Sequence, residues 1–514
     1  MLDLINNMMM GFDVALSPSA LLACFIGVTL GTFLGILPGI GPLAGISLLL
    51  PLTFTQTPVD AIVMLAGIYY GAMYGSSTAA ILLHIPGTVA AAVVCIDGYP
   101  MARQGRAGVA LAITTFASFI GGCFAIILMM VFALPLTTIA SSFGSVEYFS
   151  MTVLALVAAS TMSPGSPIKG VAMVVVGLLL GMVGTDVNSG YARYTFGVAE
   201  LLDGVNLVVL AMGMFGVAEV FHSFAQQRSD PKGVGKVDLS WRALMPTRQD
   251  WKDSTMPTVR GTMIGSGIGI LPGTGAAIAS FIAYAVERRV SKTPERFGKG
   301  AIEGIVAPEA ANNAATQASF IPTMSLGIPG SVVMALMLGA LLIHGVQPGP
   351  LLLNRHPELF WGLVASFWIG NVMLLVLNLP LIGLWVRLLT IPYHILYPGI
   401  LFFICIGAYA SNNNVFDVYL VIFFGVLGYL MRILQLPAAP ALLGLVLGPL
   451  MEEHFRRALL LSRGDATVFV TQPISGAMLA LTVLMLVLTI RSFFRNRRSV
   501  EAAVRAARKI PPQG

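Results

Sequence analysis

The sequence has little charge and no recognisable nucleotide-binding motif. Only 10% of its 514 residues are Asp, Glu, Lys or Arg, whereas soluble globular domains carry about 25%. This shortage excludes a disordered chain and argues against a soluble enzyme. The absence of a Walker A motif (GxxxxGK[ST]) indicates that the chain has no ATP site of its own. The motifs of intramembrane proteases and prenyl transferases are absent too, so we expect no enzymatic activity.

Cysteine and histidine are also scarce. The six histidines form no HExxH motif, and the four cysteines are far apart: Cys24, Cys95, Cys123 and Cys405. We therefore expect no disulfides, no metal site and no cofactor. The N-terminus lacks a positive segment, since the first basic residue is Arg103, so no cleavable signal peptide is predicted.

Hydrophobic residues make up 56% of the chain, and the mean hydropathy is +0.85. Because a transmembrane helix needs about 20 apolar residues, this composition predicts an all-α polytopic membrane protein in a lipid bilayer, with roughly 10–14 membrane segments. Basic residues concentrate in short loops and at the C-terminus, which argues against nucleic-acid binding. The positive-inside rule places the C-terminus in the cytoplasm. We divide the chain into a first membrane repeat (1–223), a cytoplasmic polar linker (224–260), a second membrane repeat (261–490) and a basic cytoplasmic tail (491–514).

The two membrane halves share short motifs in the same order. GILPGIG recurs as GILPGTG, IPGT as IPGS, and GLLLG as GLVLG, at residues 35–41 and 269–275, 85–88 and 328–331, and 177–181 and 444–448. Three matches in order predict a duplicated unit.

The charges beside the two GILPG segments differ. Asp13 and Asp60 flank the first, whereas Arg260 and the basic run 288–299 flank the second. Basic flanks on both sides of one apolar stretch indicate a re-entrant helical hairpin that enters and leaves from the cytoplasm. The first hairpin would then enter from outside, so we predict two inverted structural repeats with Pro-Gly-broken helices.

Four Pro-Gly breaks interrupt the apolar stretches at matched places. Helix N-termini at such breaks suit anions, and helix C-termini offer carbonyls to Na⁺. The alternative is that Pro and Gly only kink or pack the helices; four breaks in repeat register favour binding. The candidate substrate-binding residues are Pro38, Gly39, Gly41, Ser76, Ser77, Thr78, Gly87, Thr88, Pro272, Gly273, Thr274, Gly275, Asn312, Asn313, Thr316, Gly330 and Ser331.

Glu309 is the acid that stands out, because it lies within a largely apolar segment beside Asn312 and Asn313. Charge in mid-membrane is costly and often functional. We expect Glu309 to bind a coupling Na⁺ or exchange H⁺; a salt bridge or an interfacial position is the alternative. Asp97 is interpreted as a loop-end residue.

These segments together resemble the large permease subunit of the tripartite tricarboxylate transporters. The resemblance rests on GILPGIGP (35–42), GIYYGAMYGSSTAAILLHIPGT (67–88), DGYPMARQG (97–105), GILPGTGA (269–276), PEAANNA (308–314) and SLGIPGS (325–331). It implies a bacterial inner-membrane system in which a periplasmic solute-binding protein captures citrate or another carboxylate. The large permease and a small membrane subunit would then import it, driven by a Na⁺ or H⁺ gradient.

Two other classes stay open. One is a stand-alone carboxylate channel or exporter that needs no binding protein. The other is a membrane-embedded enzyme or scaffold, against which the missing catalytic motifs and the matched breaks argue.

Overall fold

The fold is known from a computed structural model, which describes residues 2–37, 41–140, 142–161, 167–186, 188–225, 240–271, 275–388 and 393–507. Nearly all of the described chain is helical, which confirms the predicted all-α class. The first eleven helices are α1 (Leu2–Ala15), α2 (Pro18–Ile36), α3 (Pro42–Leu49), α4 (Pro58–Leu83), α5 (Val94–Met101), α6 (Ala107–Ala140), α7 (Ser145–Thr161), α8 (Pro167–Gly181), α9 (Leu207–Ala211), α10 (Ala218–Ala225) and α11 (Trp241–Leu244).

The remaining helices are α12 (Arg248–Ile270), α13 (Gly275–Val290), α14 (Glu303–Ala318), α15 (Phe320–Leu326), α16 (Val332–Ile343), α17 (Leu352–Arg355), α18 (Pro357–Asn378), α19 (Ile382–Leu388), α20 (Tyr393–Asn412), α21 (Val415–Ile433), α22 (Ala438–Leu461), α23 (Val468–Thr471) and α24 (Pro473–Ala507). A small antiparallel hairpin pairs β1 (Gly184–Thr185) with β2 (Ala192–Arg193).

Six helical segments of the described chain are long and apolar enough to span a membrane: Pro18–Ile36, Val94–Ala133, Leu207–Ala225, Pro357–Asn378, Val415–Ile433 and Pro473–Arg491. Shorter apolar helices accompany them, which is consistent with a polytopic membrane protein. The predicted domain boundary at residue 260 falls inside α12, and residues 226–239 of the predicted linker lie outside the described residues.

The same glycine packing occurs in both halves. In the first half α2 packs on the backbone of α4, and in the second α12 packs on α14, through the pairs Gly27–Met64, Gly31–Ile68, Gly35–Ala72, Gly261–Ala307, Gly265–Ala311 and Gly269–Ala315. A methyl group at any of these glycines would overlap the facing backbone. Glycines four residues apart lie on one helix face and let two backbones approach closely. Since the sequence separation is constant within each half, the helices of each pair run parallel.

In the sequence, a short helix separates the partners of each pair and packs on the first of them as an antiparallel hairpin. In the second half, α12 and α13 are the two arms, and Arg260 of α12 forms an ion pair of 2.5 Å with Glu287 of α13. In the first half, Gly45 of α3 lies against Leu34 of α2. The residues that connect the arms, 38–40 and 272–274, lie outside the described residues.

The central helices of the two halves, α4 and α14, cross in opposite directions. Tyr69 of α4 lies near Thr316 of α14, whereas Ser77, two turns later on α4, lies near Glu309, earlier on α14. The partner residue moves backwards along α14 as α4 advances, so the two helices are antiparallel.

The third sequence match does not mark equivalent places. Gly177 of α8 packs on Ala441 of α22, and Gly181 packs on Leu445. The two segments therefore lie side by side and run parallel. Segments related by the predicted inverted repeat would run in opposite directions, so this pair does not follow the predicted inversion. Small residues such as these glycines allow two helices to pack closely.

Long-range contacts collect the basic loops at one end of the molecule. Arg106 pairs with Asp250 at 2.5 Å, and the Nε2 of Gln104 donates to the carbonyl of Lys299. We call residues 97–106, 240–252 and 288–303 the basic end. Residues 182–206, 344–357 and 452–473 meet at the opposite end, where Arg193 pairs with Glu452 at 2.8 Å.

Candidate functional site

A line of polar side chains follows one face of α14 at the centre of the protein. Glu309, Asn313 and Gln317 are spaced four residues apart and face α6, where Ser118 and Gly122 contact them. Such spacing places side chains in a row along a helix. All three are at most 1% exposed. We call Glu309, Asn312, Asn313, Gln317, Ser77 and Ser118 the polar seam.

Glu309 is the acidic group of the seam and is fully buried. Its Oε1 accepts hydrogen bonds from the Ser118 hydroxyl at 3.2 Å and from the Asn313 amide at 3.1 Å. Within the described chain no Lys or Arg forms an ion pair with it. The expected alternative of a salt bridge therefore does not describe this residue in the described structure.

Several polar atoms of the seam form no hydrogen bond of ordinary geometry among the described residues, although Ser77 and Asn312 approach the Glu309 carboxylate: Ser77 Oγ, Glu309 Oε2, Asn312 Oδ1 and Nδ2, Asn313 Oδ1, and Gln317 Oε1 and Nε2. Each such buried atom costs about 1–3 kcal/mol. Native proteins rarely collect them unless the site serves a ligand or a charge. Because oxygens dominate the set and one belongs to a carboxylate, the seam suits a hard cation or a proton.

Among the described residues, no group of three or more His, Cys, Asp or Glu side chains could hold a metal ion. One carboxylate with amide and hydroxyl neighbours is the kind of ligand set that weakly bound cations use, rather than Zn²⁺ or iron.

Next to the seam lies a hydrogen-bonded link that the sequence did not indicate. The Tyr74 hydroxyl of α4 donates to Asn371 Oδ1 of α18 at 2.6 Å, and Asn371 Nδ2 donates to the Phe119 carbonyl of α6 at 3.0 Å. The link ties three helices from both halves together. The available signal was Asn371 itself, an amide in the interior of an apolar 22-residue helix.

The IPGT and IPGS segments close against their own halves in the same manner. Gly87 packs on the Gly35 carbonyl and on Ser76, and the Thr88 hydroxyl donates to Ser76 Oγ at 3.2 Å. A Cβ at Gly41, where α3 begins, would lie 4.0 Å from the Gly87 carbonyl, so the first hairpin reaches this break.

In the second half, Gly330 packs on Ser319, and a Cβ there would lie 3.4 Å from the carbonyl of Gly269. The Ser331 Oγ caps α16 by accepting the Met334 N–H at 3.3 Å, and it lies 3.4 Å from the Tyr69 hydroxyl of α4. The second break is therefore joined to the central helix of the first half.

The structure brings together most, but not all, of the predicted site residues. Pro38, Gly39, Pro272, Gly273 and Thr274 lie outside the described residues. Gly275 begins α13 with a φ of +62°, and a Cβ there would meet nothing within 4 Å, so no described residue packs on it. Ser77 and Thr78 are buried in α4, and the Thr316 hydroxyl donates to the Asn312 carbonyl of its own helix at 2.8 Å.

Comparisons with known proteins identify the family of the chain. The model of the tripartite tricarboxylate transporter TctA family matches residues 21–443. An uncharacterized 52.8 kDa protein in the TAR-I ttuC' 3'region of Agrobacterium vitis is 51% identical over 498 residues, which cover 97% of this chain and 98% of that protein. An uncharacterized protein in the TAR-II ttuC' 3'region of the same organism is 55% identical over 234 residues, or 46% of this chain and 97% of that protein. No solved structure matches the chain.

Proposed function

This chain belongs to the tripartite tricarboxylate transporter TctA family, and from that premise we propose that it imports a carboxylate across the bacterial inner membrane, driven by a cation gradient. The observation that carries the proposal is the buried Glu309 carboxylate, which has neutral neighbours and an unpartnered oxygen at the crossing of α4 and α14. Ionisable side chains in mid-membrane are costly, and they usually serve ion binding or proton transfer.

We assign the coupling cation and the substrate to neighbouring places. Two like charges 4 Å apart repel by about 4 kcal/mol at an effective dielectric constant of about 20. A substrate carboxylate therefore avoids an ionised Glu309. The hydroxyls and helix ends around Ser76, Thr88 and Ser331 suit it better, since they carry no negative charge.

This separation gives a physical reason for coupling. A Na⁺ or H⁺ held by Glu309, Asn312 and Asn313 cancels the repulsion that an incoming anion would meet. By linkage, the substrate then raises the affinity for the cation by the same factor. The citrate-type substrates that name the family carry several carboxylates, so this effect grows with their charge.

The glycine packing supports two inverted repeats. In both halves an outer helix, a short antiparallel helix and a central helix follow one another, and α4 and α14 run in opposite directions. Inverted repeats place a substrate site where their broken helices meet, near mid-membrane.

The charge distribution supports the orientation and the partners. If the basic end is cytoplasmic, as the positive-inside rule requires, the opposite end with residues 182–206 faces the periplasm. A periplasmic solute-binding protein would deliver substrate there, and a small membrane subunit would complete the transporter.

The test is uptake of labelled citrate and a panel of dicarboxylates and aromatic carboxylates into vesicles. The vesicles contain this chain and its small subunit, with or without the binding protein and a Na⁺ or H⁺ gradient. We expect uptake only when the binding protein and the cation gradient are both present. Uptake should be weaker in the Asn312→Ala and Asn313→Ala variants. Uptake without the binding protein would favour the stand-alone carrier, and no uptake by folded protein would overturn the substrate class.

A further inference from the structure

A second buried carboxylate lies outside the polar seam, at the basic end. Asp97 of α5 is fully buried, although the sequence suggested a loop-end residue. Its Oδ1 accepts backbone N–H groups of Gly298, Gly300 and Ala301 at 2.8, 2.9 and 2.9 Å. Its Oδ2 accepts the hydroxyl of Tyr284 at 3.0 Å.

The segment that surrounds Asp97 is shaped for this carboxylate. Gly298 and Gly300 have φ of +83° and +100°, which L side chains rarely adopt. A Cβ at Gly304 would overlap the carboxylate itself. Successive N–H groups in such turns form an anion-binding concavity; here a side chain of the other half of the protein fills it.

These contacts join the two halves next to the seam. Asp97 belongs to the first half, whereas Tyr284 and residues 298–301 form the connection between α13 and α14 in the second. Glu309 lies less than two helical turns after α14 begins at Glu303. A motion that separates α5 from the connection between α13 and α14 therefore breaks the hydrogen bonds of Asp97.

The hydrogen bonds of Asp97 are strong, but they can be broken at a moderate cost in free energy. Its four hydrogen bonds are charge-assisted, which strengthens them. Within the described residues no Lys or Arg forms an ion pair with it, so burial leaves the carboxylate without a countercharge. On opening, water would hydrate the carboxylate and the freed N–H groups, which offsets much of the loss.

We propose that Asp97 is a positioning residue, a releasable latch that closes the basic end of the polar seam and opens during transport. This inference rests on the proposed function, since a latch of this kind serves a carrier that opens at alternate ends.

Cys95, two residues before Asp97, provides a native probe because its side chain is buried, at 5% exposure. A membrane-impermeant alkylating reagent is applied from the basic end in inside-out vesicles, and mass spectrometry follows the modification of Cys95. Cys24 of α2, at 1% exposure, is the internal control for a general loosening of the helix packing. No substrate is needed, so the result does not depend on whether the chain carries a carboxylate.

The latch predicts that Asp97→Ala raises the alkylation rate of Cys95 by about tenfold or more, because losing even one charged hydrogen bond shifts an equilibrium by such a factor. Tyr284→Phe, which removes one donor and is less disruptive, gives a smaller rise. Asp97→Asn keeps an oxygen for the three N–H groups and restores most of the protection.

Asp60→Asn, which changes a buried carboxylate at the start of α4, is the matched control and leaves Cys95 protected. Unchanged alkylation in both Asp97→Ala and Tyr284→Phe would overturn the latch. A parallel rise at Cys24 would also overturn it, because it would show a general structural role. If uptake fails in every combination while Cys95 responds as predicted, the proposed function falls and the latch stands.

Discussion

Replacing Glu309 by Gln separates the stability of the polar seam from its response to cations. The amide oxygen retains the acceptor position of Oε1, so the hydrogen bonds from Ser118 and Asn313 persist. The new amide nitrogen replaces Oε2, which has no partner among the described residues. A charged group at mid-membrane costs about 2.5–3.5 kcal/mol, and this sets the upper limit of what the variant gains in stability without cation.

The same substitution removes the charge that attracts the cation. A cation that binds only the folded protein stabilises it by about 2.7 kcal/mol at one hundred times its dissociation constant. We expect wild type to show such a rise in the free energy of unfolding as Na⁺ replaces choline, or as pH falls if H⁺ is the coupling ion. Glu309→Gln should lose it.

The assay is thermal or denaturant unfolding of the detergent-purified protein at constant ionic strength. Asp417→Asn is the control, because Asp417 is a buried carboxylate of α21 that, among the described residues, accepts hydrogen bonds from its neighbours Ser411 and Asn412. The control should keep the full cation response. A response of Glu309→Gln equal to that of wild type would refute the assignment, as would a large loss of stability without cation.

Three further predictions concern packing, the opposite end and the substrate site. Gly265→Ala should destabilise the protein by about 1–3 kcal/mol, because the methyl overlaps the Ala311 backbone, whereas Gly267→Ala on the same helix meets open space and should not; unfolding curves compare them. The Asn188 N–H and the Ser189 hydroxyl hold the pKa of Asp186 below its usual 3.8, so its stabilisation of the 182–206 loop is present above that value and is lost as the pH falls through the lower folded-state pKa; limited proteolysis of the loop by an acid-stable protease should accelerate there and not at pH 5. Ser331→Ala removes a cap worth about 1 kcal/mol and a candidate substrate ligand, so the KM for uptake should rise while the folded fraction stays high.

The sequence was sufficient for the class of fold and for the position of Glu309. An acid beside two amides in an apolar segment has few uses other than a buried site, and the described structure has Glu309 fully buried beside Asn313. Glu309 and the neighbouring amides lie in one short stretch of sequence, so that stretch alone indicates a buried polar site.

The contacts that sequence reasoning missed join helices that are far apart in the chain. Ser118 meets Glu309 from 191 positions away, and Tyr74 meets Asn371 from 297 positions away. Asp97 was misjudged for the same reason, since its N–H partners are more than 200 positions along the chain. A serine or aspartate in isolation carries no mark of such a partner.

The GLLLG match misled for a different reason. Small residues at helical spacing arise wherever helices pack closely, so a Gly-Leu pattern alone does not establish how two helices are related. Pro-Gly breaks are rarer than Gly-Leu patterns, and the duplication that the GILPG and IPG pairs predict stays a prediction.

The central claim is that this chain couples the movement of a carboxylate to that of a cation. Its most direct test is the steady-state concentration ratio of labelled substrate across vesicles that contain the complete transporter and an imposed inward cation gradient, without ATP. The account predicts accumulation above the external concentration, which collapses when an ionophore dissipates the gradient. A substrate ratio that never exceeds equilibrium, with or without the gradient, would identify a channel and contradict the account.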